Sequence, residues 1–106
     1  MLITGYDENR DSVISSIEKF LTECEKNGTI SSGTLEESGG MGSYETLYIT
    51  FTVYENTDKE ESYTIRFSGH SGSYSNPDFS IWNDDIKTID ELKVAITNCF
   101  KEALEC

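Results

Sequence analysis

From Thr46 to Val53 apolar and polar positions alternate, with Leu47, Ile49, Phe51 and Val53 on one side and Thr46, Tyr48, Thr50 and Thr52 on the other. Successive strand side chains point to opposite faces, so this pattern predicts a strand with one buried and one open face. Tyr63, Ile65 and Phe67 repeat the alternation against Thr64 and Arg66. The two runs, joined around Glu55–Glu61, predict a β-hairpin. A different period flanks it. Val13, Ile14, Ile17, Phe20, Leu21 and Cys24 recur at helical spacing, and Gly28 after Asn27 supplies a stop, so a helix is predicted over Asp7–Asn27. Asp7, Asn9 and Asp11 are its candidate caps. Ile89, Leu92, Ile96, Cys99, Phe100, Ala103 and Leu104 predict a second amphipathic helix, opened by the capping box Thr88-Ile89-Asp90-Glu91.

Two weaker stretches complete the plan. Thr29–Glu37 reads as an edge strand interrupted by Ser31-Ser32-Gly33, and Pro77–Trp82 as a last short strand. Ser38–Ser43 and Ser68–Asn76 are Gly/Ser-rich loops. The expected architecture is a single α+β domain over residues 1–106. It is a two-layer sandwich in the order helix, three- or four-stranded antiparallel sheet, helix, with both helices on one sheet face. Short connections favour antiparallel neighbours. The other face would show Thr46, Tyr48, Thr50, Thr52, Tyr54, Thr64 and Arg66 to solvent or to a partner.

Charge changes the picture most. Twenty acidic residues stand against eight lysines and arginines, a formal net charge of −12. Such a chain is repelled by nucleic-acid phosphates and anionic membranes and attracted to basic surfaces. No run is long enough for a membrane helix, and Met1–Gly5 lacks the basic and apolar segments of a signal peptide, so a cytoplasmic protein is expected. Cys24, Cys99 and Cys106 form an odd set without CxxC spacing, which argues against a disulfide framework or a zinc site. The first two fall on apolar helix stripes and read as buried thiols.

Four groups of residues invite a chemical reading. Asp7, Asn9, Asp11 and Glu18 follow the spacing of a calcium loop, but Ser12 stands where the sharp turn needs glycine. His70 lies beside Ser71 and Ser73 without the strand–turn–helix setting of a nucleophile elbow. The carboxylate pairs Glu36-Glu37, Glu60-Glu61 and Asp84-Asp85 would serve acid–base chemistry only in a cleft, for which a domain this small has little room. The fourth group is the acidic surface itself, with Glu55, Asp58, Glu60 and Glu61 in one turn and Asp84 and Asp85 in another. Acids in exposed turns can stand in for nucleic-acid phosphates in a basic groove. Tyr48 and Tyr54 would add anchoring area.

In size, acidity and helix–sheet–helix order the chain resembles small phage-encoded inhibitors of bacterial defence, particularly anti-CRISPR proteins. That resemblance implies a non-enzymatic inhibitor acting in the host cytoplasm by occupying a basic groove on a nucleic-acid-binding protein. No cofactor or metal is expected, and the charge speaks against a membrane surface and direct nucleic-acid contact. The residues expected to carry binding are Tyr48, Tyr54, Glu55, Asp58, Glu60, Glu61, Asp84 and Asp85. The order also resembles double-stranded RNA-binding domains, whose function the sign of the charge contradicts. An immunity protein against a toxin nuclease would use the same acidic surface, and a small calcium-binding or hydrolytic module is the reading from a different class. The weak Thr29–Glu37 edge could pair across a homodimer axis.

Overall fold

The alternating stretches pair as a hairpin and recruit a strand on each side. The computed structural model describes residues 6–38, 46–68, 77–82 and 85–105. In chain order they form α1 (Tyr6–Lys26), β1 (Ser32–Ser38), β2 (Thr46–Val53), β3 (Glu61–Ser68), β4 (Phe79–Trp82) and α2 (Ile89–Glu105). The sheet order is β1-β2-β3-β4. β2 pairs antiparallel with both neighbours, with Leu35 opposite Ile49 and Ile49 opposite Ile65. The inward positions of β2 and β3 therefore coincide on one face.

β4 departs from the antiparallel expectation. It lies parallel to β3, with Phe79 beside Ile65 and Trp82 beside Ser68. The sheet is thus four-stranded and mixed. The ten residues separating the two strands are more than enough to return the chain along so short a strand, whose four residues span about 13 Å at the usual rise. The Asp78 carboxylate accepts a hydrogen bond from the Thr64 N–H at 2.8 Å. That bond satisfies a β3 donor just before β4 begins.

The core is continuous from sheet to helices. Leu47, Ile49, Phe51, Val53, Ile65 and Phe67 join Val13, Ile17 and Leu21 of α1 and Leu92, Ile96 and Phe100 of α2 in one buried cluster. Both helices therefore cover the same sheet face. Phe51 sits among aromatic rings: Phe100 meets it edge-on at 4.7 Å, and Tyr63 and Phe79 stack on it at 5.5 and 6.4 Å. Among the described residues no helix is long and apolar enough to cross a membrane.

Local chemistry fixes the helix ends. Gly28 has a φ of 81°. Its N–H donates to Glu25 O at 3.3 Å, and that of Thr29 donates to Cys24 O at 2.9 Å. This pair of bonds is the Schellman closure, which favours glycine at the left-handed position. α2 starts as the capping pattern predicts: the Glu91 N–H donates to Thr88 Oγ1 at 3.1 Å. Glu91 Oε2 accepts from the Lys87 N–H at 3.0 Å, one residue before the cap itself. Thr88→Ala is expected to cost about 1 kcal/mol, the typical worth of such a cap, read as a lower urea midpoint with an unchanged slope.

The start of α1 corrects two expectations. It begins at Tyr6, so Asp7, Asn9 and Asp11 lie inside the helix rather than capping it. The segment from Asp7 to Glu18 is helical throughout and extends about 16 Å at 1.5 Å per residue, which cannot wrap a single calcium ion. The weak strand begins at Ser32, because Thr29 and Ile30 are drawn into the closure of α1.

Candidate functional site

The expected binding residues fall at two ends of the sheet. Tyr54, Glu55, Asp58, Glu60 and Glu61 gather at the β2–β3 turn, and all are exposed. Asp85, also exposed, follows β4 and so lies at the opposite end. The strand rise from Glu61 to Ser68 alone separates the two ends by about 23 Å. Tyr48, half-buried on the open face, pairs with Arg66 near Asp85's end. Asp84, and His70 with Ser71 and Ser73, lie outside the described residues.

The β2–β3 turn is built by its own side chains. Tyr54 and Asn56 take left-handed backbone angles, φ 54° and 65°. Asparagine tolerates this region, whereas an aromatic residue there is strained. Thr57 Oγ1 donates to Tyr54 O at 2.5 Å and accepts from the Lys59 N–H at 3.1 Å. Glu60 Oε1 accepts from the Asn56 N–H at 2.9 Å. Glu60 thus holds the turn together, which leaves Glu55, Asp58 and Glu61 as the carboxylates freer to meet a partner.

Both helices end where this turn lies. The Ser31 N–H, just past α1, donates to Thr52 O at 2.9 Å, and the Glu55 N–H donates to Ser31 Oγ at 3.1 Å. The Tyr54 hydroxyl donates to Leu104 O, in the last turn of α2, at 3.4 Å. Helix C-termini carry the negative end of the backbone dipole. Lys26 offsets that of α1, but the last turn of α2 has no basic residue. The uncompensated terminus of α2 and the acidic turn therefore share one electronegative pole, in which Lys26 and Lys59 are the basic residues.

The open face holds a group that sequence reasoning missed. Arg66, expected to face solvent, is only 8% exposed. Its guanidinium lies 5.6 Å from the centre of the Trp82 ring, and its Nε has no hydrogen-bond partner among the described residues. Parallel pairing places Phe67 beside Ile81, so Arg66 and Trp82, each one position away on its strand, occupy the same face. The alternation of Phe79 and Ile81 with Ser80 and Trp82 already assigns Trp82 to the open face; the pairing register that brings it to Arg66 is not encoded in so short a strand.

The remaining candidates carry little chemistry. Glu36 and Glu37 occupy consecutive strand positions, which belong to opposite sheet faces. Among the described residues no group of three His, Cys, Asp or Glu side chains could hold a metal ion. Cys24 and Cys99 are buried free thiols. Burial, and then the Glu102 carboxylate, pushes the Cys99 thiol up from 9.0 to about 11. The folded chain keeps a proton that the unfolded chain releases above the ordinary thiol value. This contribution to stability is therefore full below about pH 9 and is lost as pH rises toward 11. The urea midpoint should fall between pH 8 and pH 10, and by less in Cys99→Ala; an equal fall in both would assign the loss elsewhere.

No protein-family model, curated protein or solved structure matches the chain.

Proposed function

We propose that this chain is a non-enzymatic, acidic binding protein that inhibits a nucleic-acid-binding protein, a CRISPR–Cas effector or another defence nuclease, by occupying its basic groove. One observation carries the reading: the exposed carboxylates of Glu55, Asp58 and Glu61 project from the end at which both helices present their C-termini. Fixed backbone dipoles and exposed carboxylates then add in one direction, as phosphates do along a strand. A partner that evolved to hold phosphates gains the same long-range steering from this pole. Tyr54 lies within it and offers a ring at 42% exposure. Tyr48 and Asp85, with Asp84 in the same stretch of chain, would serve a contact at the opposite end, reached only by a groove that runs the length of the sheet.

The test begins with capture of the partner from the host, followed by binding measured against salt. Affinity should fall linearly in log–log form as salt rises, because each replaced phosphate contact releases counterions from the groove. Glu55→Lys, Asp58→Lys and Glu61→Lys together should weaken binding by about 100-fold or more, since rim charges set steering and like-charge contacts are costly. The partner's own nucleic acid should compete. A salt-insensitive complex, or one that forms alongside bound nucleic acid, would sink the reading. The partner's identity separates a defence nuclease from a toxin nuclease that this chain neutralises.

A further inference from the structure

A cleft of about 300 Å³ opens at the electronegative pole, between the β2–β3 turn and the last turn of α2. Its volume is at the small end of ligand pockets, suited to one side chain rather than to a cofactor. Val53, Ala103 and Leu104 are its apolar lining residues. Tyr54 and Tyr63 contribute aromatic rings and Glu61 a carboxylate. The α2 terminus beside it has no basic residue in its last turn. Apolar and aromatic lining, a carboxylate and a negative helix end are together surroundings that favour a cation. Lys59 lines the same cleft and is its one cation among the lining residues.

We infer that this cleft receives a single arginine side chain of the partner protein. The inference rests on the groove-occupancy reading and names the group that reading leaves unspecified. Arginine fits better than lysine on three counts. Its planar guanidinium stacks on tyrosine rings, its fork matches the Glu61 carboxylate, and it sheds water more readily than an ammonium. The apolar lining takes the methylene stem. Lys59 is then a competitor for the cleft, displaced when the partner's arginine enters.

The test needs no partner. N-acetyl-arginine amide, N-acetyl-lysine amide and the neutral N-acetyl-citrulline amide are titrated into the full chain at fixed ionic strength, following backbone amide resonances. The arginine probe should give saturable shifts confined to Val53–Tyr63 and Ala103–Leu104. Its apparent affinity should exceed that of the lysine probe by about threefold or more, and the citrulline probe should give none, since ring and carboxylate both select the planar cation. Glu61→Gln should weaken the arginine probe by about fivefold or more, the loss of one charge-assisted bond at an exposed site. Lys59→Met should tighten it by removing the competitor. Tyr54→Phe keeps the ring and should retain binding, which guards against misreading a damaged turn. Shifts that spread over the whole acidic surface without saturating, equal affinity for the lysine probe, or indifference to Glu61→Gln would each overturn the inference. The groove-occupancy reading would survive such a result, because it is judged on the salt dependence of the partner complex.

Discussion

Phe51→Ala is expected to remove about 3–5 kcal/mol of folding stability, the cost of emptying a large buried aromatic site. That is a large part of the roughly 5–15 kcal/mol that holds a domain of this size. The loss is placed at the top of the range because Phe51 is 1% exposed and no single neighbour can refill its space. Its ring touches α2 through Phe100, β3 through Tyr63 and β4 through Phe79. Collapse around the cavity would have to move three elements at once. Urea titration measures the effect, and Phe51→Leu, which keeps much of the volume, should recover more than half of it. A loss below about 1.5 kcal/mol for the alanine variant would mean the sheet–helix interface repacks freely, against the close packing typical of protein interiors.

Arg66→Met is expected to act in the opposite direction and raise stability by about 1–2 kcal/mol. The balance has two sides. The stacking of the guanidinium on Trp82 contributes roughly 0.5–2 kcal/mol. Against it stands an Nε without an acceptor among the described residues, which costs about 1–3 kcal/mol, together with the desolvation of a charge that is more than nine-tenths buried. Methionine keeps the packed stem and drops the charge. A thermal midpoint higher by about 4–8 °C per kcal/mol would register the gain in a domain near this length. Arg66→Lys should not stabilise, because it keeps the charge and loses the planar stack. A methionine variant less stable than the parent by 1 kcal/mol or more would show that the ring contact outweighs the buried charge.

How much of this was legible follows from what each pattern encodes. The apolar stripes of both helices and the alternation from Leu47 to Val53 report burial directly, so those elements and the core could be read within a residue or two. The Thr88–Glu91 cap and the Gly28 stop are local chemistry and were equally readable. The direction of β4 was not, since Phe-Ser-Ile-Trp would alternate alike in either sense. The end of the sheet at which Asp85 sits follows from that one gap. Asp84 and Asp85 read as a turn separate from the acidic one, and the direction of β4 sets Asp85 at the far end of the sheet; Arg66 was expected on an uncovered face but lies beside Trp82. Glu60 illustrates a different limit. An acid in a polar turn reads as free charge, and only the folded turn reveals its bond to the Asn56 N–H. The calcium-like spacing from Asp7 to Glu18 was overruled because helical periodicity already operates where a loop would be needed.

β4 has a consequence for the order in which the sheet comes apart. β1, β2 and β3 form an antiparallel meander of strands seven or eight residues long, whereas β4 contributes four residues at an edge and returns through a longer connection. Beyond its short ladder with β3, it is held by the Asp78 carboxylate on Thr64, the Phe79 ring against Phe51 and Tyr63, the buried Ile81 and the Trp82 ring at Arg66. Such a strand opens at lower free energy than the sheet beside it. Native-state hydrogen exchange should find the β4 amides released well before those of β2; exchange of both in a single global step would contradict this. Each release of β4 would carry Trp82 away and leave Arg66 in water for as long as the edge stays open. An acidic molecule would in this way reveal, briefly and at its margin, a positive charge that its resting surface conceals.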